Sequence, residues 1–330
     1  MSRFRVVITD FIADDLAPER AVLGDLADVV ALDAYAEGDL AGKIETADAV
    51  MLYHNLHLTA ATVGRLANCK LIVRCGVGYD NVDRVLARSR GIPVANVPDY
   101  GTEEVADTAI GLALSLVRGI SLLNSRLRRG VGPWSYSQAS PITRIRGKVF
   151  GVIGLGCIGT AAAVRAKALG MEVVFFDPYK QDGFDKALGV RRADTLVELL
   201  AQSFVVSLHT PLTDETRHII DAAAIAAMPR GSFLVNTARG GCVDLAAVPP
   251  AIASGQLAGA GIDVLPHEPP ADDHPLLVAW RDPNHPCHDR LIVNPHAAFY
   301  SEEGLRDMRV KGAEACRRAL LGLPLRNVVN

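Results

Sequence analysis

The chain contains 330 residues, enough for roughly two domains of about 150 residues each. Hydrophobic residues make up 49% and charged residues 22%, a balance typical of a folded globular protein that excludes disorder as the main state. The 34 Lys and Arg against 37 Asp and Glu leave a net charge of −3. The chain therefore has no general basic surplus with which to bind nucleic acid or an anionic membrane.

The cysteines and the N-terminus indicate the cellular compartment of the protein. The six cysteines form no CxxC pair and are unlike a disulfide scaffold, which favours reduced thiols. The first residues run directly into an alternating apolar segment without a signal-peptide pattern. The most apolar helical stretch, residues 109–117, is about half of the roughly 20 residues that cross a bilayer. We expect a cytoplasmic protein that does not enter a membrane.

Short β-branched segments bounded by turns predict strands along the whole chain. The predicted strands are residues 5–9, 49–53, 71–74, 149–153, 172–176, 204–208, 233–236, 259–264 and 291–293. Segments rich in Ala and Leu with helical spacing lie between most of them, for example residues 60–66, 158–169 and 195–201. This alternation predicts the α/β class, with doubly wound parallel sheets covered by helices on both faces.

One segment departs from the alternation. Residues 101–130 begin with a capping pattern and end in arginines and a glycine, which predicts a single helix of more than 25 residues. The following segment, residues 130–147, is rich in Gly, Pro and Ser and predicts a surface loop. A closing helix is predicted over residues 302–321, and its periodicity does not show which block it packs against.

A glycine-rich motif, GLGCIG, occupies residues 154–159 between a predicted strand and a predicted helix. Glycines at these positions allow a tight turn, close approach of a pyrophosphate and close helix packing, with the phosphates at the positive end of the helix. Asp177 follows the next predicted strand, at the spacing of a dinucleotide-binding fold. The predicted cofactor residues of this motif are Gly154, Gly156, Cys157, Ile158 and Gly159.

Asp177 predicts NAD rather than NADP as the cofactor. A carboxylate at this position accepts hydrogen bonds from the adenosine ribose hydroxyls and repels the extra phosphate of NADP. Two like charges about 4 Å apart repel by roughly 4 kcal/mol at an effective dielectric near 20. The local sequence Asp177-Pro178-Tyr179 contains no Arg to offset that repulsion.

Six motifs, one of which contains the glycine-rich motif, extend over nearly the whole chain. They are CGVGYDNVD (75–83), GTEEVADTAIGLAL (101–114), GVIGLGCIG (151–159), NTARGGCVD (236–244), GIDVLPHEPP (261–270) and NPHAAFYSE (294–302). Together they resemble the D-isomer-specific 2-hydroxyacid dehydrogenases, and within them the C-terminal-binding-protein branch. The likeness to that branch lies in MLYH (51–54), RIRG (144–147), FFDPY (175–179), LVNTARGG (234–241) and PHAAFYSE.

The resemblance implies a particular domain organisation. Residues 1–99 and 297–330 would form a discontinuous substrate-binding domain, and residues 100–296 an inserted NAD-binding Rossmann domain, with a cleft between them. A homodimer would use the helix after residue 100. The implied reaction is NAD-dependent interconversion of a D-2-hydroxy acid and a 2-oxo acid.

The resemblance assigns three catalytic positions, Arg239, Glu268 and His296. An Arg offers a planar fork that binds a carboxylate and polarises the neighbouring ketone. A His titrates near neutrality and so can deliver a proton to the forming alkoxide or remove it in reverse. A carboxylate beside the imidazole orients it and favours its protonated form. Arg239 is therefore expected to bind substrate, His296 to act as acid and base, and Glu268 to orient His296.

Further site residues follow from the same resemblance. Val77 and Gly78 would present backbone N–H groups to the substrate carboxylate, and Asp263 would accept from the nicotinamide carboxamide. The remaining predicted cofactor residues are Val77, Thr108, Thr210, Pro211, Thr237, Ala238 and Arg239. The predicted substrate residues are Tyr53, His54, Val77, Gly78, Arg239 and Phe299, with Tyr79 and Tyr300 bordering the same pocket. Aromatic groups at these positions favour an apolar or aromatic 2-oxo acid.

Three departures from the family pattern affect these expectations. Phe299 stands where the C-terminal-binding branch typically has Trp, which puts the selectivity of that residue in question. Pro249 and Pro250 interrupt a helix of the family, so a helix should start or kink there. The loop after Glu268 is expected to be a surface insertion, and its part over residues 280–290 to reshape the cleft.

Several alternatives remain open. His267, His274, His285, Cys287 and His288 share one loop, but their spacing does not match a zinc site, and no metal is expected. A formate dehydrogenase is disfavoured because that family pairs its active histidine with Gln, where this chain has Glu268. The main alternative function is an NAD(H)-sensing interaction protein of the corepressor type, since the C-terminal-binding branch includes such proteins.

Overall fold

The computed structural model describes residues 3–330, which divide into two compact units. The first unit consists of Met1–Gly101 and Tyr300–Asn330, and the second of Thr102–Phe299. The sequence-based boundaries, 99/100 and 296/297, lie within three residues of these limits. The assignment of substrate to one unit and cofactor to the other stays a prediction.

The strands and helices are numbered in chain order. The strands are β1 Phe4–Ile8, β2 Ala27–Ala31, β3 Ala49–Leu52, β4 Ile72–Arg74, β5 Val94–Asn96, β6 Val149–Ile153, β7 Glu172–Phe176, β8 Arg191–Arg192, β9 Val205–Leu208, β10 Ser232–Asn236, β11 Leu257–Ile262 and β12 Leu291–Val293. The α-helices are α1 Ala17–Leu23, α2 Ala60–Val63, α3 Arg84–Ser89, α4 Thr102–Val117, α5 Ile120–Arg128, α6 Cys157–Ala168, α7 Phe184–Leu188, α8 Leu196–Gln202, α9 Ala222–Ala227, α10 Val248–Ser254, α11 Pro275–Arg281, α12 Cys287–Arg290 and α13 Glu302–Leu320. Single 3₁₀ turns occur at Glu37–Leu40, Tyr136–Ala139 and Gly240–Cys242.

The first unit is built on a five-stranded parallel sheet in the order β2-β1-β3-β4-β5. Its central strand β3 is buried along its whole length, as expected for a strand between two helical layers. The closing helix α13 packs against α1 and β3 of this unit, which resolves the question that its periodicity left open. Strands β2 and β5 lie outside the predicted set.

The second unit is built on a seven-stranded parallel sheet in the order β12-β11-β10-β9-β6-β7-β8. One face is covered by α4 and α6, and the other by α8, α9 and α10, each with its own apolar core. Parallel strands with helices on both faces confirm the predicted doubly wound α/β class. Strand β8, only two residues long, also lies outside the predicted set.

The predicted single helix over residues 101–130 is wrong, because the chain bends there. Helices α4 and α5 meet at an angle of 64°. Gly119 lies between them with φ +65°, a left-handed conformation that ends an α-helix and favours glycine. No single helix of the described residues is long and apolar enough to cross a membrane, although this bent pair passes on length and composition.

The segment after Glu268 is not the simple surface insertion expected from the sequence. It forms α11 and α12, and Leu276, Leu277 and Cys287 are buried in the core of the second unit. Pro249 lies in the first turn of α10, which confirms that a helix starts at the proline pair.

Candidate active site

Many predicted site residues of the second unit follow the carboxyl ends of parallel strands. Asp177 follows β7, Thr210 and Pro211 follow β9, Thr237, Ala238 and Arg239 follow β10, Asp263 follows β11, and His296 follows β12. Because these strands run parallel in one sheet, their carboxyl ends share one edge, where α/β proteins build their sites. Glu268 lies on the loop after β11 and joins this edge through its contact with His296.

The glycine motif forms a cradle at the start of α6. A Cβ atom on Gly159 would lie 2.0 Å from the carbonyl oxygen of Gly154, so this position accepts only glycine. Gly154 itself has φ +87° and faces the backbone of His209. Gly156, the N-cap of α6, has open space around its Cα. The motif thus leaves room for a pyrophosphate in front of the first N–H groups of α6, where Cys157 and Ile158 lie.

Asp177 is held by two backbone donors. Its Oδ2 accepts from the Leu155 N–H at 2.8 Å, and its Oδ1 from the Tyr179 N–H at 3.0 Å. The carboxylate is thereby fixed beside the glycine turn, and its remaining lone pairs can accept from ribose hydroxyls.

The local sequence around this aspartate contains no Arg, but an Arg distant in sequence approaches it in the fold. Arg192, from the neighbouring strand β8, donates from Nη2 to the carbonyl oxygen of Asp177 at 3.4 Å. The sequence separation of 15 residues hid this approach.

The remaining predicted cofactor residues of the second unit lie around the ends of β9 and β10. Thr210 donates weakly to the Cys242 Sγ at 3.8 Å, and Pro211 accepts from Thr216 at 2.6 Å. Thr237 is buried, and its Oγ1 has no hydrogen-bond partner within residues 3–330. A buried hydroxyl without a partner costs stability, and this one would be satisfied by a bound ligand. Together with the glycine cradle, it shows that the residues present fit NAD.

His296 and Glu268 form a direct pair. The imidazole Nδ1 lies 2.6 Å from Glu268 Oε2, and Oε1 of the same carboxylate accepts from the Leu265 N–H at 2.6 Å. Side chains of His296 and Glu268 are 23% and 33% exposed. Because Nδ1 faces the carboxylate, Nε2 is the ring nitrogen that can exchange a proton with a substrate.

Glu268 keeps its negative charge in this setting. Burial acts to raise its pKa, but the hydrogen bond to His296, the charge of that imidazole and the Leu265 N–H outweigh burial. The positive charge of Arg239 acts in the same direction. The pKa of Glu268 therefore lies below its ordinary value of 4.5. Arg239, Glu268 and His296 thus form one electrostatically connected group within the second unit.

The loop that carries Arg239 is held by its own backbone and by a buried amide. Asn236 donates to the Arg239 carbonyl at 2.9 Å and accepts from the Ala238 N–H at 3.0 Å. A Cβ on Gly240 would lie 2.1 Å from the carbonyl carbon of Leu265. This close approach places the Arg239 loop against the segment that leads to Glu268, and it requires glycine.

His296 has a left-handed backbone with φ +51°, which is uncommon for any residue other than glycine. Asp263 holds this turn from below: its carbonyl oxygen accepts from the His296 N–H at 2.7 Å. The Asp263 carboxylate accepts from the N–H groups of Ala297 and Ala298 at 3.0 and 3.1 Å. Burial raises the pKa of Asp263, against the opposing effect of these two N–H groups. The predicted contact of Asp263 with the nicotinamide stays a prediction beside this backbone role.

Two more predicted residues contact the His296 turn. Thr108 of α4 donates to the Ala298 carbonyl at 3.4 Å, so it touches the histidine loop from the helix side. Phe299 is buried, and its ring stands edge-on to the His296 ring, with centroids 6.0 Å apart. Its ring therefore packs against the imidazole that the sequence assigns to catalysis.

The predicted substrate residues Tyr53 and His54 belong to the first unit. Tyr53 is 0% exposed and packs against Phe11, and burial raises the pKa of its phenol well above 10.0. The Tyr53 side chain thus lies inside the unit, and its contact with substrate stays a prediction. His54 is half-buried, with its ring 4.4 Å from that of Phe11.

The predicted carboxylate-binding loop, with Val77 and Gly78, also lies in the first unit. Both residues are half-buried. Asn96 donates from Nδ2 to the Val77 carbonyl at 2.7 Å, and Val97 donates its N–H to Gly76 at 3.1 Å. Gly76 has φ +146°, and a Cβ there would lie 1.6 Å from Nη1 of Arg74. The loop thus rests on the Arg74 guanidinium.

The other aromatic residues expected at the pocket are more exposed. Tyr79 is half-buried under the Arg84 guanidinium, and Tyr300 is 52% exposed, with its hydroxyl bonded to Glu302.

The histidine-rich segment shows no metal arrangement. Among residues 3–330, no group of three or more His, Cys, Asp or Glu side chains could hold a metal ion. His288 contacts the Trp280 carbonyl at 2.9 Å, and His285 Nδ1 accepts from the Cys287 N–H at 3.1 Å.

Sequence reasoning missed several residues that organise the site. Asp10 is fully buried and accepts from the N–H groups of Tyr53 and Asn55 at 3.0 and 2.8 Å. Asn81 donates to the carbonyls of Tyr53 and Leu56 at 2.8 and 2.7 Å. An Asp directly after the first predicted strand was the available signal for Asp10. Nothing local in the sequence identifies the partners of Asn81.

A comparison of the sequence with known protein families agrees with the predicted site. Residues 110–298 match the model described as "D-isomer specific 2-hydroxyacid dehydrogenase, NAD binding domain". The chain belongs to the D-isomer-specific 2-hydroxyacid dehydrogenase family. NAD is the cofactor that this domain binds, which confirms the predicted cofactor.

Individual relatives support the same conclusion. The chain is 34% identical over 326 residues to a D-3-phosphoglycerate dehydrogenase of Methanocaldococcus jannaschii, and 33% identical over 313 residues to C-terminal-binding protein 1 of Caenorhabditis elegans. These matches cover 99% and 93% of this chain, but only 59% and 42% of the two relatives. A D-lactate dehydrogenase from Aquifex aeolicus, solved with NAD and lactic acid, superposes with a TM-score of 0.82 at 27% identity, over 96% of both chains.

Proposed function

We propose that the chain is an NAD-dependent dehydrogenase that interconverts a D-2-hydroxy acid and a 2-oxo acid. The observation that carries this proposal is the His296–Glu268 pair, 2.6 Å apart, with the charge of Arg239 acting on the same carboxylate. A cation, a proton donor and an orienting carboxylate on one sheet edge, beside a dinucleotide cradle, are the groups that this reaction needs.

Each residue has a distinct task in the reducing direction. Arg239 binds the substrate carboxylate and polarises the adjacent carbonyl, because its guanidinium is a permanent cation with a planar fork. His296 donates a proton from Nε2 to the carbonyl oxygen as negative charge develops there. Glu268 holds Nδ1 and stabilises the charged imidazole before the transfer. NAD, when bound, supplies or accepts the hydride at the carbon of that carbonyl.

The cofactor would be held by residues of the second unit. The N–H groups at the start of α6, around Gly156 and Ile158, would bind the pyrophosphate, and Asp177 would accept from the adenosine ribose. Thr237 would find a partner for its buried hydroxyl. We also propose that the protein is cytoplasmic and works as a homodimer; cell fractionation would test the first proposal, and sedimentation of the purified protein the second.

The substrate is proposed by class only. The ring of Phe299 beside His296 favours 2-oxo acids with an apolar or aromatic side chain over small or phosphorylated ones. NADH oxidation should therefore be screened with phenylpyruvate and methylthio-oxobutyrate against glyoxylate, hydroxypyruvate and phosphohydroxypyruvate.

The catalytic assignment is tested by His296→Ala and Arg239→Ala. Each variant should lose turnover by about 100-fold or more, the usual contribution of a positioned acid or base, while NADH binding persists. His57→Ala is a matched control, because His57 is an exposed histidine of the first unit. Near-normal turnover in the His296 or Arg239 variant would contradict the proposal.

A second candidate is an NAD(H)-dependent interaction protein, favoured by the similarity to C-terminal-binding protein 1 over 93% of the chain. The two functions separate in one comparison. The dehydrogenase proposal requires turnover on at least one 2-oxo acid of the screen. Absence of turnover on all of them, together with partner association that depends on NADH, would favour the second candidate.

A further inference from the structure

The edge strand β8 carries two arginines that face opposite sides of the second unit's sheet. Arg191 pairs with Val174 of β7, and its guanidinium lies 3.5 Å from Glu172. Arg192 pairs with Phe175, and its guanidinium reaches the end of β7, where it contacts the Asp177 carbonyl at 3.4 Å. Successive side chains of a strand point to opposite faces of the sheet, and the contacts place Arg192 at the carboxyl end of β7 and Arg191 at its start.

The position of Arg192 matters because Asp177 is expected to bind the ribose 2′ position, the point at which NAD and NADP differ. NAD has a free 2′-hydroxyl there, whereas NADP carries a phosphate, which a carboxylate repels and an arginine binds. Sites for NADP use such a cation beside the ribose. In this chain the carboxylate and the guanidinium lie at the same strand end, 15 residues apart in sequence.

We propose that Arg192 is a ready binding group for a 2′-phosphate, and that Asp177 is the barrier that keeps NADP out. Removal of the Asp177 charge should then turn the site toward NADP without any arginine being introduced. The inference rests on the NAD site of the second unit and on no assumption about the substrate or the reaction.

The present partner of Arg192 does not prevent this role. Arg192 Nη1 forms an ion pair with Asp182 at 3.2 Å, but the Asp182 side chain is fully exposed, while Arg192 is 26% exposed. An exposed ion pair contributes little to stability because water and salt screen it. The guanidinium can therefore exchange Asp182 for a phosphate, and its stem is guided by the Phe175 ring, 6.0 Å from the guanidinium carbon.

The test measures equilibrium binding of NADH and NADPH by nucleotide fluorescence, with no substrate present. The wild-type chain should prefer NADH. Asp177→Ser should shift the NADPH-to-NADH affinity ratio by about 100-fold or more toward NADPH, since it removes a repulsion between close charges. Arg192→Leu in the Asp177→Ser background should then weaken NADPH by roughly tenfold and change NADH by less than twofold.

Matched variants separate this role from a structural one. Arg191→Leu in the same background should leave both affinities unchanged, because Arg191 faces the other side. Arg192→Lys should retain most of the NADPH affinity, since it keeps the charge. Asp177→Asn, which preserves the shape of the residue, repeats the charge removal if serine disturbs the turn at Leu155 and Tyr179.

Two results would overturn the proposal. In the first, Arg192→Leu leaves the NADPH affinity of the Asp177→Ser protein unchanged, so that another cation such as Lys180 binds the phosphate. In the second, Arg192→Leu weakens NADH and NADPH equally, which would show that the residue only supports the fold of the site.

Discussion

Each unit of the molecule places a buried aspartate under a loop that carries predicted site residues. In the first unit, Asp10 accepts the N–H groups of Tyr53 and Asn55, and the Thr9 hydroxyl donates to it at 2.6 Å. In the second unit, Asp263 accepts the N–H groups of Ala297 and Ala298, directly after His296. The two aspartates are 0% and 1% exposed, and both carboxylates accept hydrogen bonds from backbone N–H groups of the loop above them.

The two loops differ in backbone strain. The loop above Asp263 holds His296 at φ +51°, and its imidazole is paired with a second carboxylate, Glu268. The loop above Asp10, residues 53–55, contains no residue with positive φ. Strain in a non-glycine residue persists only where the surroundings hold it, and it concentrates at functional sites. Of these two loops, the one above Asp263 thus carries a strained, titratable residue, and residues 53–55 carry none.

The largest effect should come from the charge beside the strained loop. Glu268→Gln keeps an acceptor for His296 Nδ1 but removes the negative charge that stabilises the imidazolium. We expect turnover to fall by about 100-fold or more, as in other carboxylate–histidine pairs. The pH-rate profile of the variant measures this loss, with Glu303→Gln, an exposed residue of α13, as the control.

The same substitution has an acid-stability signature. The pKa of Glu268 is lowered in the folded chain, so its charge contributes stability above 4.5 that is lost as the pH falls through the lowered value. The thermal midpoint of Glu268→Gln should therefore depend less on pH below 4.5 than that of the wild type. Equal acid dependence in both proteins would show that the pair does not hold Glu268 ionised.

Removal of the aspartate beneath each loop tests the comparison directly. Asp263→Ala leaves the Ala297 and Ala298 N–H groups without acceptors and releases the strained histidine. Turnover should fall by about tenfold to 100-fold, and unfolding free energy by about 2 to 4 kcal/mol. Asp263→Asn keeps an amide oxygen for these donors and should recover most of the stability. Unchanged turnover in Asp263→Ala would show that the histidine holds its position alone.

Asp10→Ala should act on recognition rather than on turnover. The N–H groups of Tyr53 and Asn55 lose their acceptor, so the loop with His54 loosens, and KM should rise by about tenfold with a smaller change in kcat. Binding of NADH should change little, because all predicted cofactor residues except Val77 belong to the second unit. A loss confined to kcat would contradict the division of roles between the two loops.

The parts predicted from sequence are those that local pattern determines. Strands β6, β7 and β12 match their predicted bounds, because apolar runs between clear turns set them. The glycine motif was also predicted correctly, since the positive φ of Gly154 and the close contact at Gly159 require glycine. The edge strands β2, β5 and β8 were missed because pairing with a neighbour, rather than apolar pattern, makes them strands.

The misses at the site have the same physical origin. The contact of Arg192 with Asp177 arises from pairing between β7 and β8, and the burial of Tyr53 from packing on Phe11. The bend at Gly119 was not predicted because a single glycine within a helical pattern is often tolerated. Contacts distant in sequence decide these features, so no local motif reports them.

The smallest expected effect concerns the helix that approaches the strained loop from the side. Thr108 donates to the Ala298 carbonyl at 3.4 Å, a long hydrogen bond that contributes little beside the two N–H bonds of Asp263. Thr108→Val, which removes the hydroxyl at nearly constant volume, should lower turnover by less than about threefold, a difference of roughly 0.6 kcal/mol. Thr108→Ser keeps the hydroxyl and is the matched control. Suppose that Thr108→Val lowers turnover as much as Asp263→Ala does, and that Thr108→Ser does not. The His296 loop would then be held by the Thr108 hydroxyl rather than by the Asp263 carboxylate.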